Sequence, residues 1–433
     1  MNRLAAWRGD GREVSVAGLG RSGTAAVELL ESLGIPVYPS DASSGGHDLA
    51  RVARGVALIV SPGIPPDAEV VRAAVTAGVA VLAEAQLGLD ALAGVPYIAV
   101  TGTNGKTTTT ALVDHLLRAD GRQSVAAGNI GLALSAVAMR RPRPEWLAVE
   151  LSSFQLHDCP DLAPTVGILT NLAPDHLDRY PTLEAYFADK AKLFANASPA
   201  SIWVSNLDDP DSRSMVGPVI GRHLAFTTRP GFTADAWFDH ASQQLLLAGK
   251  PLLARSELPL LGDHNVANAL AASLAVHAVG MQHDAIARGL RSFQALVHRV
   301  EPVREVAGVL WINDSKATNV SSTLVAAEAM TRPFVLLLGG RHKGEPYTGL
   351  REALRPRCVA VVAYGEAADR IVADLGDAVT VVRAESFEEV VAAARRLVPP
   401  GGAVLLSPAC SSYDMFDNYE QRGATFRRLV EVM

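Results

Sequence analysis

A short apolar run at 97–100 leads straight into Thr101-Gly102-Thr103-Asn104-Gly105-Lys106-Thr107-Thr108, and a helical pattern follows over Lys106–Ala119. Strand, glycine-containing turn, Lys-Thr and helix, in that order, describe a phosphate-binding loop. The glycines let backbone N–H groups approach phosphate oxygens, and the helix N-terminus adds positive potential. In this reading Lys106 neutralises the β- and γ-phosphates, and the Thr107 hydroxyl joins a magnesium shell. A full Walker A loop needs glycine five positions before Gly105, and Val100 stands there. The plain alternative is an ordinary βα turn, which the Gly-Lys-Thr triplet in this context disfavours.

The same alternation runs along much of the chain. Val14–Ala17, Ala57–Val60 and the segments 97–100, 146–149, 168–170, 201–204, 334–338, 359–363 and 404–406 read as buried strands. Helical patterns at 23–33, Lys106–Ala119, 269–278 and Phe387–Leu397 lie between them. The expectation is an α/β protein with parallel sheets wrapped by helices. Segment 225–258 has no clear helix and reads as a small antiparallel insert. The 433 residues allow about three domains. Seams near 89–95 and 296–302 give 1–92, 93–297 and 298–433.

Charge and cysteine content exclude several classes. Thirty-nine basic against 45 acidic residues leave a net charge of −6, which argues against broad nucleic-acid binding. Cys159, Cys358 and Cys410 are odd in number and far apart, so neither a disulfide framework nor a CxxC metal pair is available. The first residues hold charges and no apolar signal region, and the apolar runs are too short to span a bilayer. A cytoplasmic enzyme without nucleic-acid or membrane partner is expected. No long heptad or apolar stripe demands another subunit, so a monomer is expected.

Two further groups of residues bear on chemistry. Glu150 ends one strand, and Asp175, His176 and Asp178 follow another. Strand ends are where an open α/β sheet forms its ligand crevice, and carboxylates suit magnesium. Gly18-Leu19-Gly20-Arg21-Ser22-Gly23 follows a strand and opens a helix, with Asp41 about 20 residues on. Alone, that fingerprint suggests an NAD-dependent oxidoreductase. The segment before the phosphate loop holds little more than one mononucleotide half, and a dehydrogenase needs no ATP-type loop. A nucleoside-diphosphate substrate satisfies the motif equally well.

Together these pieces resemble the Mur ligase family. The resemblance is carried by residues 18–23, Ser61-Pro62-Gly63-Ile64, residues 101–108, Gly128-Asn129-Ile130-Gly131, Glu150-Leu151-Ser152-Ser153-Phe154-Gln155-Leu156 and Asp175-His176-Leu177-Asp178-Arg179-Tyr180. It continues through Gly262-Asp263-His264-Asn265 with Asn268, His298-Arg299, Asn313-Asp314-Ser315-Lys316-Ala317-Thr318-Asn319, Gly339-Gly340 with Lys343-Gly344, and Ser407-Pro408-Ala409-Cys410-Ser411-Ser412. The phosphate loop alone also fits folylpolyglutamate synthases. The runs at 150–156, 176–180 and 407–410 point to the branch that adds glutamate to a UDP-sugar.

The resemblance implies three domains: a Rossmann-like N-terminal domain, a central P-loop domain and a Rossmann-like C-terminal domain. It implies that ATP phosphorylates the alanyl carboxylate of UDP-N-acetylmuramoyl-L-alanine and that the amine of D-glutamate displaces phosphate. Charges alone leave D- and L-glutamate undistinguished. The implied catalytic residues are Lys106, Glu150, His176 and Lys190. Two magnesium ions are implied, with Thr107 and Glu150 on one. His176 and Lys190 are implied on the other, Lys190 as a carbamate formed with carbon dioxide. Implied ATP contacts are Gly102, Thr103, Asn104, Gly105, Lys106, Thr107, Thr108, Asn265, Asn268, Arg299, Asp314 and Lys316. Gly20, Arg21, Ser22, Asp41, Ser61, Asn129 and His176 resemble UDP-substrate contacts. Thr318, Lys343, Ser412, Tyr413 and Tyr419 resemble the glutamate pocket. ATP contacts on both sides of the second seam imply that the C-terminal domain closes over the nucleotide.

Overall fold

Buried Val, Ile, Leu and Ala runs in this chain pair into three separate sheets, as seen in a computed structural model that describes residues 3–176 and 179–433. β1 (Val14–Ala17), β2 (Val37–Ser40), β3 (Ala57–Val60) and β4 (Ala80–Ala83) form an all-parallel sheet in the order β2-β1-β3-β4.

The second sheet contains β5 (Tyr97–Thr101), β6 (Ser124–Gly128), β7 (Trp146–Glu150), β8 (Val166–Leu169), β9 (Ile202–Asn206), β10 (Arg222–Thr227), β11 (Ala236–Asp239), β12 (Gln244–Leu247) and β13 (Lys250–Ala254). Its order is β13-β12-β11-β10-β9-β8-β5-β7-β6. The expected antiparallel insert at 225–258 is narrower than the sequence suggests. β10 pairs parallel to β9 and β11 pairs parallel to β10; only β11-β12-β13 is antiparallel. An uncovered strand edge offers unpaired N–H and C=O groups, and these strands extend that edge instead of forming a separate lobe.

The third sheet holds β14 (Glu301–Val306), β15 (Val309–Asn313), β16 (Phe334–Gly339), β17 (Cys358–Tyr364), β18 (Val381–Arg383) and β19 (Ala403–Leu406), ordered β14-β15-β19-β16-β17-β18. Only the β14–β15 pair is antiparallel. Side chains alternate across the sheet, so its two faces carry separate cores. Leu336, Leu338, Val361 and Leu405 lie in one; Val335, Leu337, Val362 and Val404 lie in the other.

The chain clusters into two compact units, Met1–Leu258 with Val266–Phe293, and Pro259–Asn265 with Gln294–Met433. Within the first unit, helices Glu84–Ala91 and Leu134–Met139 pack closely. A Cβ on Gly88 would fall 2.4 Å from the Leu134 Cβ. Buried Glu84 accepts from the Leu134–Met139 helix through the Ser135 N–H at 2.7 Å. The first two sheets therefore share one apolar core that includes Val14, Ile59, Leu87, Leu134, Leu147 and Leu169. Among the described residues no helix is long and apolar enough to cross a membrane.

Candidate active site

β5 ends in the phosphate loop, and glycine is required there at two positions. Gly102 has φ +144°, and a Cβ on it would meet the Thr170 Oγ1 at 2.0 Å. Gly105 has φ +80°, and a Cβ on it would meet the Asn268 Oδ1 at 2.3 Å. L-residues rarely adopt such φ values, and both contacts allow only a hydrogen. The loop is stitched to the segment after β8. Thr103 N donates to Asn171 O at 2.9 Å, Asn104 N to Asn171 Oδ1 at 2.9 Å, and Thr170 Oγ1 to Asn104 O at 2.6 Å. The expected strand at 168–170 ends one residue early, at Leu169, which frees Thr170 for this task.

Helix Lys106–Ala119 starts at the loop with Thr107 and Thr108 buried. Lys106 Nζ folds back to Gly102 O at 3.0 Å and Thr103 O at 2.6 Å. Asn268 reaches the same turn, accepting from Thr109 Oγ1 at 3.2 Å. Asn265, by contrast, donates to Leu261 O at 2.7 Å.

Glu150 ends β7 beside the loop, because parallel pairing sets it opposite Val100 on one side and Gly128 on the other. It is 1% exposed. Oε1 accepts from Asn129 Nδ2 at 2.9 Å, while Oε2 is buried with no hydrogen-bond partner among the described residues. An orphaned buried carboxylate oxygen is costly unless a ligand completes it.

Lys190 lies on helix Leu183–Ala191 and is also 1% exposed. Its Nζ donates to Gly102 O at 2.7 Å and sits 4.6 Å from the centre of the Tyr186 ring. Burial, followed by the nearby Lys106 charge, holds its pKa well below that of an ordinary lysine; Asp175, Asp189 and Glu150 oppose this only partly. His176 has φ +55°, an uncommon backbone for a non-glycine residue and one that gathers at functional sites. Its ring centre is 5.0 Å from that of Phe154 and 6.2 Å from that of Tyr186. Asp175 accepts from His176 N at 2.9 Å. Asp178 lies outside the described residues.

Among the described residues no three His, Cys, Asp or Glu side chains gather into a metal-sized cluster. Magnesium takes few protein ligands and completes its shell with water and phosphate oxygens. The Glu150 oxygen left without a partner among the described residues, beside the phosphate loop, fits such an ion, and Lys190, its pKa lowered by burial, lies at the same loop.

The first glycine motif is built by its neighbours. A Cβ on Gly23 would fall 1.8 Å from Gly18 O, so the helix Arg21–Ser32 packs directly on the turn. Asp41 Oδ2 accepts from Leu19 N at 2.7 Å, and Oδ1 accepts from Ser43 N and Oγ at 2.9 and 2.6 Å. These hydrogen bonds, the one from Ser43 Oγ foremost, lower the Asp41 pKa to about 2. Ser61 Oγ donates to Gly18 O at 2.7 Å, with Ser22 Oγ at 3.3 Å from it. Gly20 and Arg21 are exposed at the turn. Arg179 Nη1 reaches Pro62 O at 3.4 Å, joining this end to the His176 loop.

In the second unit, Asp314, Lys316 and Thr318 follow β15, Lys343 follows β16, and Ser412 and Tyr413 follow β19; Arg299 precedes β14 and Tyr419 opens helix Tyr419–Glu431. Lys316 Nζ is 5.3 Å from the centre of the Tyr419 ring, and Lys343 Nζ is 3.4 Å from Thr318 Oγ1. Ser412 is buried, Tyr413 is exposed and Arg299 is half-buried. Asp314 is buried. Its Oδ1 accepts from Val300 N at 3.2 Å and its Oδ2 from Ser407 Oγ at 2.8 Å; burial raises its pKa to about 7. Both oxygens are thus engaged in holding neighbouring loops.

Arg422 is a residue the sequence reading passed over. It is fully buried and donates to Ser315 Oγ at 2.9 Å, Ser315 O at 2.7 Å and Cys410 O at 3.1 Å. One guanidinium therefore clamps the loop holding Lys316 and Thr318 to the loop holding Ser412. A signal was present: Arg422, Phe426 and Val430 share the buried stripe of helix Tyr419–Glu431 at a spacing of four.

The Mur ligase middle domain model matches residues 100–276, and the Mur ligase glutamate ligase domain model matches residues 298–410. A UDP-N-acetylmuramoylalanine–D-glutamate ligase of Salinibacter ruber is 39% identical, with 97% of each chain covered. The enzyme of that name from Myxococcus xanthus is 38% identical, covering 98% of this chain and 99% of its own. Among solved structures, the MurF ligase of Thermotoga maritima, in complex with ADP, superposes with a TM-score of 0.63 at 18% identity over the full length of both chains. Folylpolyglutamate synthase of Mycobacterium tuberculosis gives 0.61 at 18% identity over 79% of this chain and 94% of its own, so the architecture is common to both branches. Identity at this level over nearly the whole length separates them: the chain belongs to the Mur ligase family, within the group of UDP-N-acetylmuramoylalanine–D-glutamate ligases.

Proposed function

We propose that this protein joins D-glutamate to UDP-N-acetylmuramoyl-L-alanine with ATP hydrolysed to ADP and phosphate. An oxygen of the alanyl carboxylate attacks the γ-phosphorus, and the bond to ADP breaks. The glutamate amine then attacks the acyl carbon and loses a proton, and phosphate leaves as the amide forms. Joining an anionic carboxylate to a polyanion requires charge neutralisation and positioning more than a protein nucleophile.

The residues divide this work. Residues 102–108 cradle the phosphates by backbone N–H groups, with Lys106 as the cation, and Asn268 supports the turn. Asn265, Arg299, Asp314 and Lys316 serve the ATP side, Asp314 by holding its loops. Gly20, Arg21, Ser22, Asp41, Ser61 and Asn129 serve the UDP-substrate. Thr318, Lys343, Ser412, Tyr413 and Tyr419 serve glutamate, Lys343 supplying a cation to a carboxylate. In this division 1–92, 93–297 and 298–433 are the UDP-substrate, ATP and glutamate domains. Thr107, Glu150, His176 and carbamylated Lys190 would hold two magnesium ions, which would supply charge neutralisation on the phosphoryl oxygens when bound. Carbon dioxide adds only to an uncharged amine, and burial of Lys190 beside Lys106 favours that form. The substrates make the protein cytoplasmic, and it is read as a monomer.

The observation that carries this reading is the meeting of Lys190 and the unpaired Glu150 oxygen at a phosphate loop in a chain so close to known ligases. The test is phosphate release by purified protein. Release is expected only with ATP, UDP-N-acetylmuramoyl-L-alanine and D-glutamate together, with L-glutamate inactive by chiral analysis of the product. Release without the UDP-substrate, or full activity of Lys106→Ala, would overturn it.

A further inference from the structure

Asp189 directly precedes Lys190 and is 6% exposed. Three segments converge on its carboxylate. His157 Nδ1 lies 2.8 Å from Oδ1 and 3.0 Å from Oδ2, Lys192 Nζ lies 2.9 Å from Oδ1, and the Tyr180 hydroxyl donates to Oδ2 at 3.0 Å. Lys192 also donates to His157 O at 3.0 Å, which closes the ring of contacts.

The contacts continue toward the chemistry. The Tyr180 ring stacks on Phe154 at 5.6 Å with an interplanar angle of 8°. Phe154 also carries the Arg179 guanidinium at 4.0 Å and meets the His176 ring at 5.0 Å. Tyr180 further packs on Tyr186, whose ring faces the Lys190 amine. Consecutive helical residues point about 100° apart. Asp189 and Lys190 therefore look to different sides of one turn, Asp189 toward the aromatic stack and Lys190 toward the phosphate loop.

We infer that Asp189 is a positioning residue: through Tyr180 and Phe154 its carboxylate sets the His176 ring relative to the Lys190 amine. This rests on the proposed roles of His176 and Lys190. Residues that orient a metal's ligands typically cost 10–100-fold in metal affinity or activity when removed.

The experiment measures ligation by the full chain against magnesium and ATP, and magnesium binding by calorimetry without turnover, for Asp189→Ala, Asp189→Asn, Tyr180→Phe and the pair Asp189→Ala with Tyr180→Phe. Asp189→Ala is expected to lower kcat about tenfold and raise the half-saturating magnesium concentration severalfold. The KM for ATP should stay within about twofold, since the phosphate-loop contacts are separate. Tyr180→Phe should do the same more weakly, and the pair should be no worse than Asp189→Ala alone. Asp189→Asn keeps an acceptor for Tyr180 and should recover most of kcat. Wild-type kcat and magnesium dependence in Asp189→Ala, or in Tyr180→Phe should Asp189→Ala not fold, would overturn the inference. So would independent, multiplying effects in the pair. If Lys190→Ala and His176→Ala also ligate normally, the reading of the site itself fails; if they are dead and the Asp189 variants are not, only this inference falls.

Discussion

Lys106 and Lys190 donate to one and the same carbonyl oxygen, that of Gly102, at 3.0 and 2.7 Å. Two ammonium groups sharing one acceptor repel each other, and the more buried one yields its proton more easily. The phosphate-loop lysine stays half-buried at the loop, while Lys190 is enclosed. Burial and the neighbouring charge therefore favour the uncharged form at Lys190, the form that the proposed carbamate needs.

Replacing Lys190 tests that division. Lys190→Ala should lower kcat about 100-fold or more, in the range seen when a preorganised electrostatic group is removed. The wild-type protein incubated with 13C-bicarbonate should show a carbamate carbon resonance that Lys190→Ala lacks.

Gly102→Ala forces a methyl to within 2.0 Å of Thr170 Oγ1 at a φ of +144°. Strain of this kind costs on the order of 1–3 kcal/mol before the clash is counted. The expected result is a melting temperature lowered by several degrees and loss of ATP binding, read by calorimetry and by nucleotide titration. Gly20→Ala meets nothing within 4 Å and should leave stability unchanged.

Asp314 gives stability a pH dependence of known sign. Its pKa rises from 3.8 to about 7 on folding, so between those values the folded protein binds the extra proton. Stability is then full below about pH 4 as far as this group is concerned, falls through pH 4–7, and is lowest above pH 7. The slope is at most about 1.4 kcal/mol per pH unit. Asp314→Asn should flatten that fall in denaturant titrations run from pH 4 to 8.

Arg422→Lys keeps charge but cannot reach Ser315 Oγ, Ser315 O and Cys410 O together. Each buried acceptor left without a partner costs about 1–3 kcal/mol. A loss of at least about 2 kcal/mol in urea unfolding is expected. The KM for glutamate should rise more than that for ATP, because the clamp joins the loops of Thr318 and Ser412.

Much of the phosphate loop was legible because its signal is local. Gly102, Gly105, Lys106 and Thr107 lie within six residues, and the turn, the helix start and the ligand chemistry all depend on that spacing. The buried strand Ala57–Val60 was legible from its unbroken apolar run, and Val14–Ala17 from an apolar run broken only by Ser15. β2, β4 and β18 were not. They are short and only partly buried: β2 carries Pro39 and β18 spans three residues, while the apolar run of β4 leads straight into a helix with no turn signal between them. Asp41 was legible as a partner of the first glycine turn, but its bond to Leu19 N was not, since that contact spans 22 residues.

What the sequence by itself determined is the set of local devices: glycines where only a hydrogen fits, a Lys-Thr at a helix start, and carboxylates at strand ends. What only the tertiary structure decided is which of them meet and in what charge state. Lys190 becomes an unusual amine because it is enclosed beside a carbonyl 88 residues away, and Asp189 becomes a hub because His157 reaches it across 32. Desolvation and charge proximity depend on distance in space, and separation along the chain carries no record of them.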